Sequence, residues 1–434
     1  MPDAQPHEQT TTQALELAQY YLEDTSRNVF ISGKAGTGKS TFLENFRKAT
    51  NKNIAVVAPT GVAALNVQGQ TIHSFFSITP GLIDFRSFKP ANNKKLYGSL
   101  DLLIIDEISM VRADLFDAVE ATLRKNNDKS LPFGGVQICV IGDLFQLPPV
   151  IRHEEKTFYN QTYNSPFFFA SGNYAAANFE LIKFDKVFRQ ADSHFIHALN
   201  KVRIGRKDPD LLAYLNQRHQ VALARNPPPI TLAATNKIAD DINQQQRQAL
   251  PGVGYTFYGS LQGRFVVGKD RLPSPEKLIL KKDTQVMFTR NDIVKKRWVN
   301  GTLGTVSYVD EENIEVTVKQ KSGKQKSFVV TPEKWVSYEY AFNDEKNKLE
   351  QKEVGSFTQY PLMLAWAVTI HKSQGKTLDN VFIDLGGGAF APGQVYVALS
   401  RCRSFESLSL KTPLTPRDIW CDKSILEFAR HYYG

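Results

Sequence analysis

The stretch "VFISGKAGTGKST" constrains the fold more than any other part of this chain. Gly33-x4-Gly38-Lys39-Ser40 follows a short β-branched run and precedes the helical stretch "TFLENFRKA". Glycines let the backbone curl until several N–H groups face one phosphate, and the start of a helix adds its positive end. Lys39 is then placed to reach the β- and γ-phosphates, and the Ser40 hydroxyl to hold Mg²⁺. A flexible glycine turn is the bland alternative. The strand before and the helix after argue against it.

From about 28 to 185 one pattern repeats: an apolar run, a polar loop, a helical stretch. The runs are "VFIS" (29–32), "IAVVA" (54–58), "LLIID" (102–106) and "QICVIGD" (137–143). Such strands predict a parallel sheet covered on both faces, with ligands beyond the strands' carboxyl ends. "LLIIDEIS" puts Asp106 and Glu107 at one of those ends. Beside a phosphate loop, Asp106 suits Mg²⁺ and Glu107 suits the attacking water, although paired acids also cap helices. "VIGDLFQLPPV" puts Gln146 where a neutral amide can bond the γ-phosphate and register its loss. Charge developing on that phosphate calls for cations from outside, and Arg189 in "DKVFRQ" and Arg401 in "VYVALSRCR" are the candidates, a surface ion pair being the ordinary alternative for either.

"WAVTIHKSQGKT" (366–377) ends like a second phosphate loop. Such a loop needs glycine five residues before its Gly-Lys, and that position is Ile370, so the chain holds one nucleotide site. His371, Lys372, Ser373, Gln374 and Gly375 instead form a donor-rich loop suited to nucleic-acid phosphates, a buried structural histidine being the alternative for His371. "PTGVAALNVQGQTIHSFF" (59–76) offers hydroxyls, a histidine and paired phenylalanines, which can hold a strand or, for the rings, fill a core.

At 434 residues the chain is long for one core. We read an N-terminal helix (1–27), a first α/β lobe (28–185), and a second lobe in two parts (186–255 and 357–434). Alternating strands such as "TQVMFT", "GTVSYV" and "NIEVTV" between turn signals make 256–356 an inserted β-domain. A net charge of +9 and a pI near 9.2 favour a polyanionic partner. The three scattered cysteines argue against a disulfide framework and a zinc site. No apolar run approaches the ~20 residues of a membrane span, and "MPDAQPHEQTTTQ" lacks the features of an export signal. A cytoplasmic protein follows, nucleoid-associated in a bacterium, with a nuclear location left open.

The order "GKAGTGKS", "APTGVAA", "GQTIHSFF", "IIDEISMV", "GDLFQLPP", "VFRQ", "LAWAVTIHKSQGKT" and "VYVALSRCRS" resembles a superfamily-one helicase. Within it, "DEISMVRADLFDAVEATLRK" is similar to the signature segment of the Pif-type (petite integration frequency) 5′-to-3′ DNA helicases. The resemblance implies two RecA-like P-loop NTPase lobes, Mg-ATP between them, single-stranded DNA across their tops and a small β-barrel of the Src-homology type as the insertion. By motif, Gly33, Gly36, Thr37, Gly38, Lys39, Ser40 and Thr41 hold the phosphates, and Gln13 (or Gln9) reads adenine. Asp106, Glu107 and Gln146 take the metal, water and sensor roles, with Arg189 and Arg401 as arginine fingers. The strand-facing residues are Pro59, Thr60, Gly61, His73, Ser74, Phe75, Thr235, Asn236, His371, Lys372 and Ser373, with a wedge element near 61–75. The implied protein is a monomer in solution acting on single-strand/duplex junctions and G-quadruplexes, in replication, repair, recombination and telomere maintenance. A regulatory ATP switch that binds nucleic acid and a ring-forming remodeller are the competing classes. Both acids argue against the first, and two arginines supplied in cis against the second.

Overall fold

The computed structural model describes residues 11–186, 189–190, 192–223, 229–265, 272–292, 294–319 and 323–433. Six strands form the first sheet: β1 (Val29–Gly33), β2 (Ile54–Ala58), β3 (Gln70–Thr71), β4 (Leu102–Ile105), β5 (Gln137–Gly142) and β6 (Glu180–Phe184). They run parallel in the order β3-β2-β4-β5-β1-β6. β1, β4 and β5 are buried at every position, as a sheet covered on both faces demands. One face packs under α1 (Thr11–Asp24) and α2 (Lys39–Ala49) through Ala14, Ala18, Leu22, Phe42 and Phe46. The other meets an aromatic core that includes Phe75, Phe116, Phe168 and Tyr174.

The segment after Glu107 also braces a long loop. Buried Asp114 accepts from the Ile83 backbone at 3.0 Å and from Tyr159 Oη at 2.9 Å, and pairs with Arg112 at 3.0 Å. Arg112 in turn donates to the Gly81 carbonyl. Residues 77–93 are thereby fixed on the surface, with Leu82 and Phe85 partly exposed.

The second sheet mixes Ile230–Ala233 with three strands from beyond the insertion. Ala367–Thr369 and Val381–Asp384 flank it, Leu408–Leu410 lies outermost, and all run parallel. The end of the chain departs from the expected second lobe. Helix Lys423–Tyr433 crosses back to lobe one, where Phe428 stacks on Phe169 at 4.3 Å and Ile425 joins the aromatic core. A row of large apolar side chains in "ILEFARHYY" needs a partner surface, and the aromatic core of lobe one supplies it.

The insertion is not the closed barrel expected. Among the described residues it forms an open five-stranded antiparallel sheet, a three-stranded sheet and a two-stranded ribbon. The five-stranded sheet ends at Gln325–Val330 on one side and at Leu362–Leu364, from beyond the insertion, on the other. The longest hairpin, Glu333–Asn343 with Lys348–Gln359, belongs to the three-stranded sheet and reaches lobe one. Tyr340 lies in the lobe-one core, edge-on to Phe75 at 5.6 Å, and its hydroxyl accepts from the Val56 N–H at 3.0 Å. That N–H sits on the edge of β2 just short of the β3 pairing, so the hydroxyl satisfies a donor that would otherwise be buried unpaired. Truncating a buried aromatic typically costs about 3–5 kcal/mol. Tyr340→Ala is therefore expected to undock the hairpin, read as faster amide exchange across 333–359 while β4 and β5 stay protected.

Candidate nucleotide and nucleic-acid site

β1 delivers the phosphate loop and α2 receives it. Gly36 and Gly38 adopt φ of 82° and 89°, a region closed to most side chains, and Gly38 caps α2. Gly33 stays behind the loop, where a Cβ would fall 2.6 Å from Thr37 Oγ1 and 2.8 Å from the Phe184 carbonyl. Lys39 Nζ donates to the carbonyls of Gly33 at 2.6 Å and Lys34 at 2.9 Å. Burial holds this ammonium below its ordinary pKa, against the pull of Asp143, Glu107 and Asp106. A phosphate offers it better acceptors than two carbonyls.

The cavity in front of the loop measures about 760 Å³. Gly36, Thr37, Gly38, Lys39, Ser40 and Thr41 line it together with Asp106, Glu107, Gln146, Arg189 and Arg401. Residues expected at strand ends of lobe one and in two separate parts of lobe two thus share one wall. Burial raises the Asp106 carboxyl, and burial followed by the charge of Asp106 raises Glu107. Glu107 also sits at φ 50°, a strained value for a non-glycine residue that turns its side chain into the cavity. Ser40 and Asp106 give hard oxygen donors beside a phosphate loop, which fits Mg²⁺.

Lobe two closes the cavity. Arg189 donates to the Ser400 carbonyl at 3.0 Å, while its buried Nε has no hydrogen-bond partner among the described residues. Arg401, 1% exposed, is held by the Val397 carbonyl at 2.9 Å and Ser400 Oγ at 2.8 Å. Burial and the neighbouring Arg189 bring its pKa down to about 9. Two crowded guanidiniums, one with an idle donor, fit a wall built for a polyphosphate. Gln374 was expected only in the donor-rich loop of lobe two, not at the nucleotide cavity. Its Nε2 donates to Glu107 Oε2 and to Gln146 Oε1, both at 3.1 Å, and so ties the water and sensor positions to lobe two. It lies inside the quoted "HKSQGKT", but only the fold reveals that it points across the cleft.

The outer end of the cavity is bounded by Leu15, Glu16 and Gln19 of α1 and by Asn45 of α2. Gln13 is exposed and is not part of that wall. At about 100° per residue it lies about 60° beyond Glu16 around the helix. Gln9 falls outside the described residues.

The strand-facing set divides. Thr60 caps helix Gly61–Asn66, its hydroxyl accepting from the Ala63 N–H at 3.2 Å, and Pro59 beside it is half-buried. His73 and Ser74 are half-buried on helix Ile72–Phe75, with Ser74 accepting from Gln70 at 2.8 Å. Thr235, Asn236 and Lys372 are exposed on lobe two, and His371 is half-buried, its pKa lowered by desolvation. Two residues do not fit a strand-contacting role. Phe75 is 3% exposed and packs on Phe76, Tyr97 and Tyr340, because an aromatic beside a buried strand fills the core. Ser373 is fully buried, its hydroxyl donating to the Ile370 carbonyl at 2.7 Å to close the turn.

Residues 8–209 match the family model described as PIF1-like helicase. The chain is 34% identical over 420 residues to the ATP-dependent DNA helicase Pif1 of Bdellovibrio bacteriovorus, covering 94% of this chain and 90% of that one. The chain belongs to the PIF1-like helicase family. Against the Xenopus laevis PIF1 helicase it is 34% identical over 93% of its length, and spans 62% of that longer protein. This helicase superimposes on a Bacteroides Pif1 in complex with ADP-AlF4 with a TM-score of 0.87, at 33% identity and 98% coverage of both chains. Against the Bacteroides Pif1 in complex with ADP-AlF3 and single-stranded DNA, with the same coverage and identity, the TM-score is 0.69. The RecA-like helicase fold expected from the motifs is thus present.

Proposed function

We propose that this helicase is an ATP-driven DNA motor that moves 5′-to-3′ along single-stranded DNA and separates duplexes ahead of it. One observation carries the reading: groups from both lobes converge on a single cavity, and Gln374 spans it to Glu107 and Gln146. In this reading Lys39 leaves the Gly33 and Lys34 carbonyls for the β- and γ-phosphates of ATP. Glu107 orients a water and takes its proton as the water oxygen bonds to the γ-phosphorus. The bond from that phosphorus to the β–γ bridging oxygen breaks, and the electron pair leaves with ADP. A carboxylate whose proton affinity burial has raised suits the base role. Arg189 and Arg401 meet the charge that spreads over the equatorial oxygens. Ser40 and Asp106 would hold Mg²⁺, which screens the phosphate charge.

Hydrolysis removes the group that Gln146 senses, and Gln374 hands that change to the loop carrying His371 and Lys372. Thr60, His73 and Ser74 would hold the strand on lobe one while Thr235, Asn236 and Lys372 hold it on lobe two. Alternating grip between the two sets gives net movement. The lower similarity to the DNA-bound Bacteroides form supports a further step, in which strand binding changes the arrangement of the parts of the chain. Forks and G-quadruplexes are the proposed substrates, in replication, repair, recombination and telomere maintenance, with a monomer as the solution form. Among the described residues no helix is long and apolar enough to cross a membrane.

Unwinding of duplexes bearing a single-stranded tail at either end tests the polarity. We expect strand separation with a 5′ tail and little with a 3′ tail. Preference for the 3′ tail would overturn the direction.

A further inference from the structure

Asp143, the first residue after β5, is 1% exposed and belongs to none of the roles assigned above. Its carboxylate is gripped from two elements of lobe two. Arg203, at the end of helix Ser193–Arg203, donates to Oδ1 through Nε at 3.2 Å and Nη2 at 2.8 Å. Its guanidinium also covers the Phe145 ring, 3.9 Å from the centroid. Tyr396, on helix Gln394–Leu399, donates its hydroxyl to Oδ2 at 3.0 Å and accepts from the Ala35 N–H of the phosphate loop at 3.5 Å. Gln146 Nε2 reaches the same Oδ2 at 3.4 Å. Gly393 packs against this loop so closely that a Cβ would stand 2.5 Å from the Phe145 and Gln146 carbonyls.

Asp143 therefore connects the γ-phosphate sensor, the phosphate loop and two helices of the opposite lobe. Burial pushes its carboxyl pKa up, and Arg203 with Lys39 more than offsets this, leaving it below the usual range and charged. A buried charge pair between two bodies has its desolvation offset only while both partners are seated. It is expensive to leave half-made. Such a pair ties the loop that carries Gln146 to the Ser193–Arg203 helix.

We propose that Arg203 is a positioning residue that passes the state of the Gln146 sensor to lobe two through Asp143, and so couples hydrolysis to lobe closure. The inference rests on the motor reading given above. Arg203 acts by seating, through Asp143, the loop that presents Gln146. Loss of the pair should lower the turnover that DNA drives, and leave nucleotide affinity nearly intact.

The test measures steady-state ATP hydrolysis by the full chain, with and without saturating oligo(dT), for wild type, Arg203→Gln, Arg203→Lys and the double variant Asp143→Asn/Arg203→Gln. The double variant leaves no stranded charge and guards against a variant that fails to fold. We expect Arg203→Gln and the double variant to lower DNA-stimulated kcat by about ten-fold or more, within the range of ordinary coupling energies, with KM for ATP changed by less than about two-fold. Arg203→Lys, which keeps the cation but loses the fork, should recover part of that loss. Unchanged stimulated kcat in both Gln-bearing proteins would overturn the proposal. So would an equal fall in basal and stimulated kcat together with a lowered melting temperature, the signature of a merely structural pair. Absence of DNA stimulation in the wild type would instead mark failure of the motor reading itself.

Discussion

Lys39→Ala is expected to reduce ATP hydrolysis by at least about 10²–10³-fold, the loss seen when one preorganised donor is removed from a site of developing charge. The ammonium lines the cavity in front of the phosphate loop, and among the described residues it donates to the Gly33 and Lys34 carbonyls. The Lys34 carbonyl still accepts from the Thr37 hydroxyl at 2.9 Å when the ammonium is gone, so the fold should survive. Binding of labelled ATP and its hydrolysis, measured on the same preparation with a melting curve, distinguish chemistry from unfolding. Full hydrolysis by this variant would mean that the glycine loop is not the phosphate site.

Glu107→Gln separates binding from chemistry. The amide keeps the size of the carboxylate and can still accept from Gln374 Nε2, so the bridge across the lobes remains. What disappears is the proton acceptor for the attacking water, and general-base loss typically costs about 10²–10⁴-fold in rate. ATP affinity should hold or rise, because the buried negative pair with Asp106 becomes a single charge next to the nucleotide. A single-turnover assay with preloaded ATP reads the step directly. Retention of near-normal turnover would move the base role to another group on the cavity wall.

Much of this site was legible in the chain, for a physical reason. A phosphate loop, a strand-end acid pair and a post-strand glutamine are local devices, each fixed by a few consecutive residues whose geometry the strand dictates. Lys39, Asp106, Glu107 and Gln146 come from such strings, and all line the cavity. Arg189 and Arg401 sit on the same wall, although nothing local to either string required it. What the sequence hid depends on contacts between distant segments. Gln374 and Arg203 gain meaning only when lobe two closes on Glu107 and Asp143. Phe75 and Ser373 lie within matching motifs, yet their side chains turn inward, since a motif states residue type and not orientation. The insertion's alternating strands predicted β-structure correctly. The docking of its long hairpin on lobe one depends on Tyr340 finding an aromatic pocket and an edge N–H there. The C-terminal helix returned to lobe one for the same kind of reason, through Phe428.

The central claim is that one ATP site, shared by two lobes, is coupled to a DNA strand held across both. The most direct measurement is the ATP hydrolysis rate of the full chain titrated with single-stranded DNA of non-repeating sequence. The account predicts strong, saturable stimulation that vanishes in Lys39→Ala. Hydrolysis at the same rate with and without DNA would contradict it.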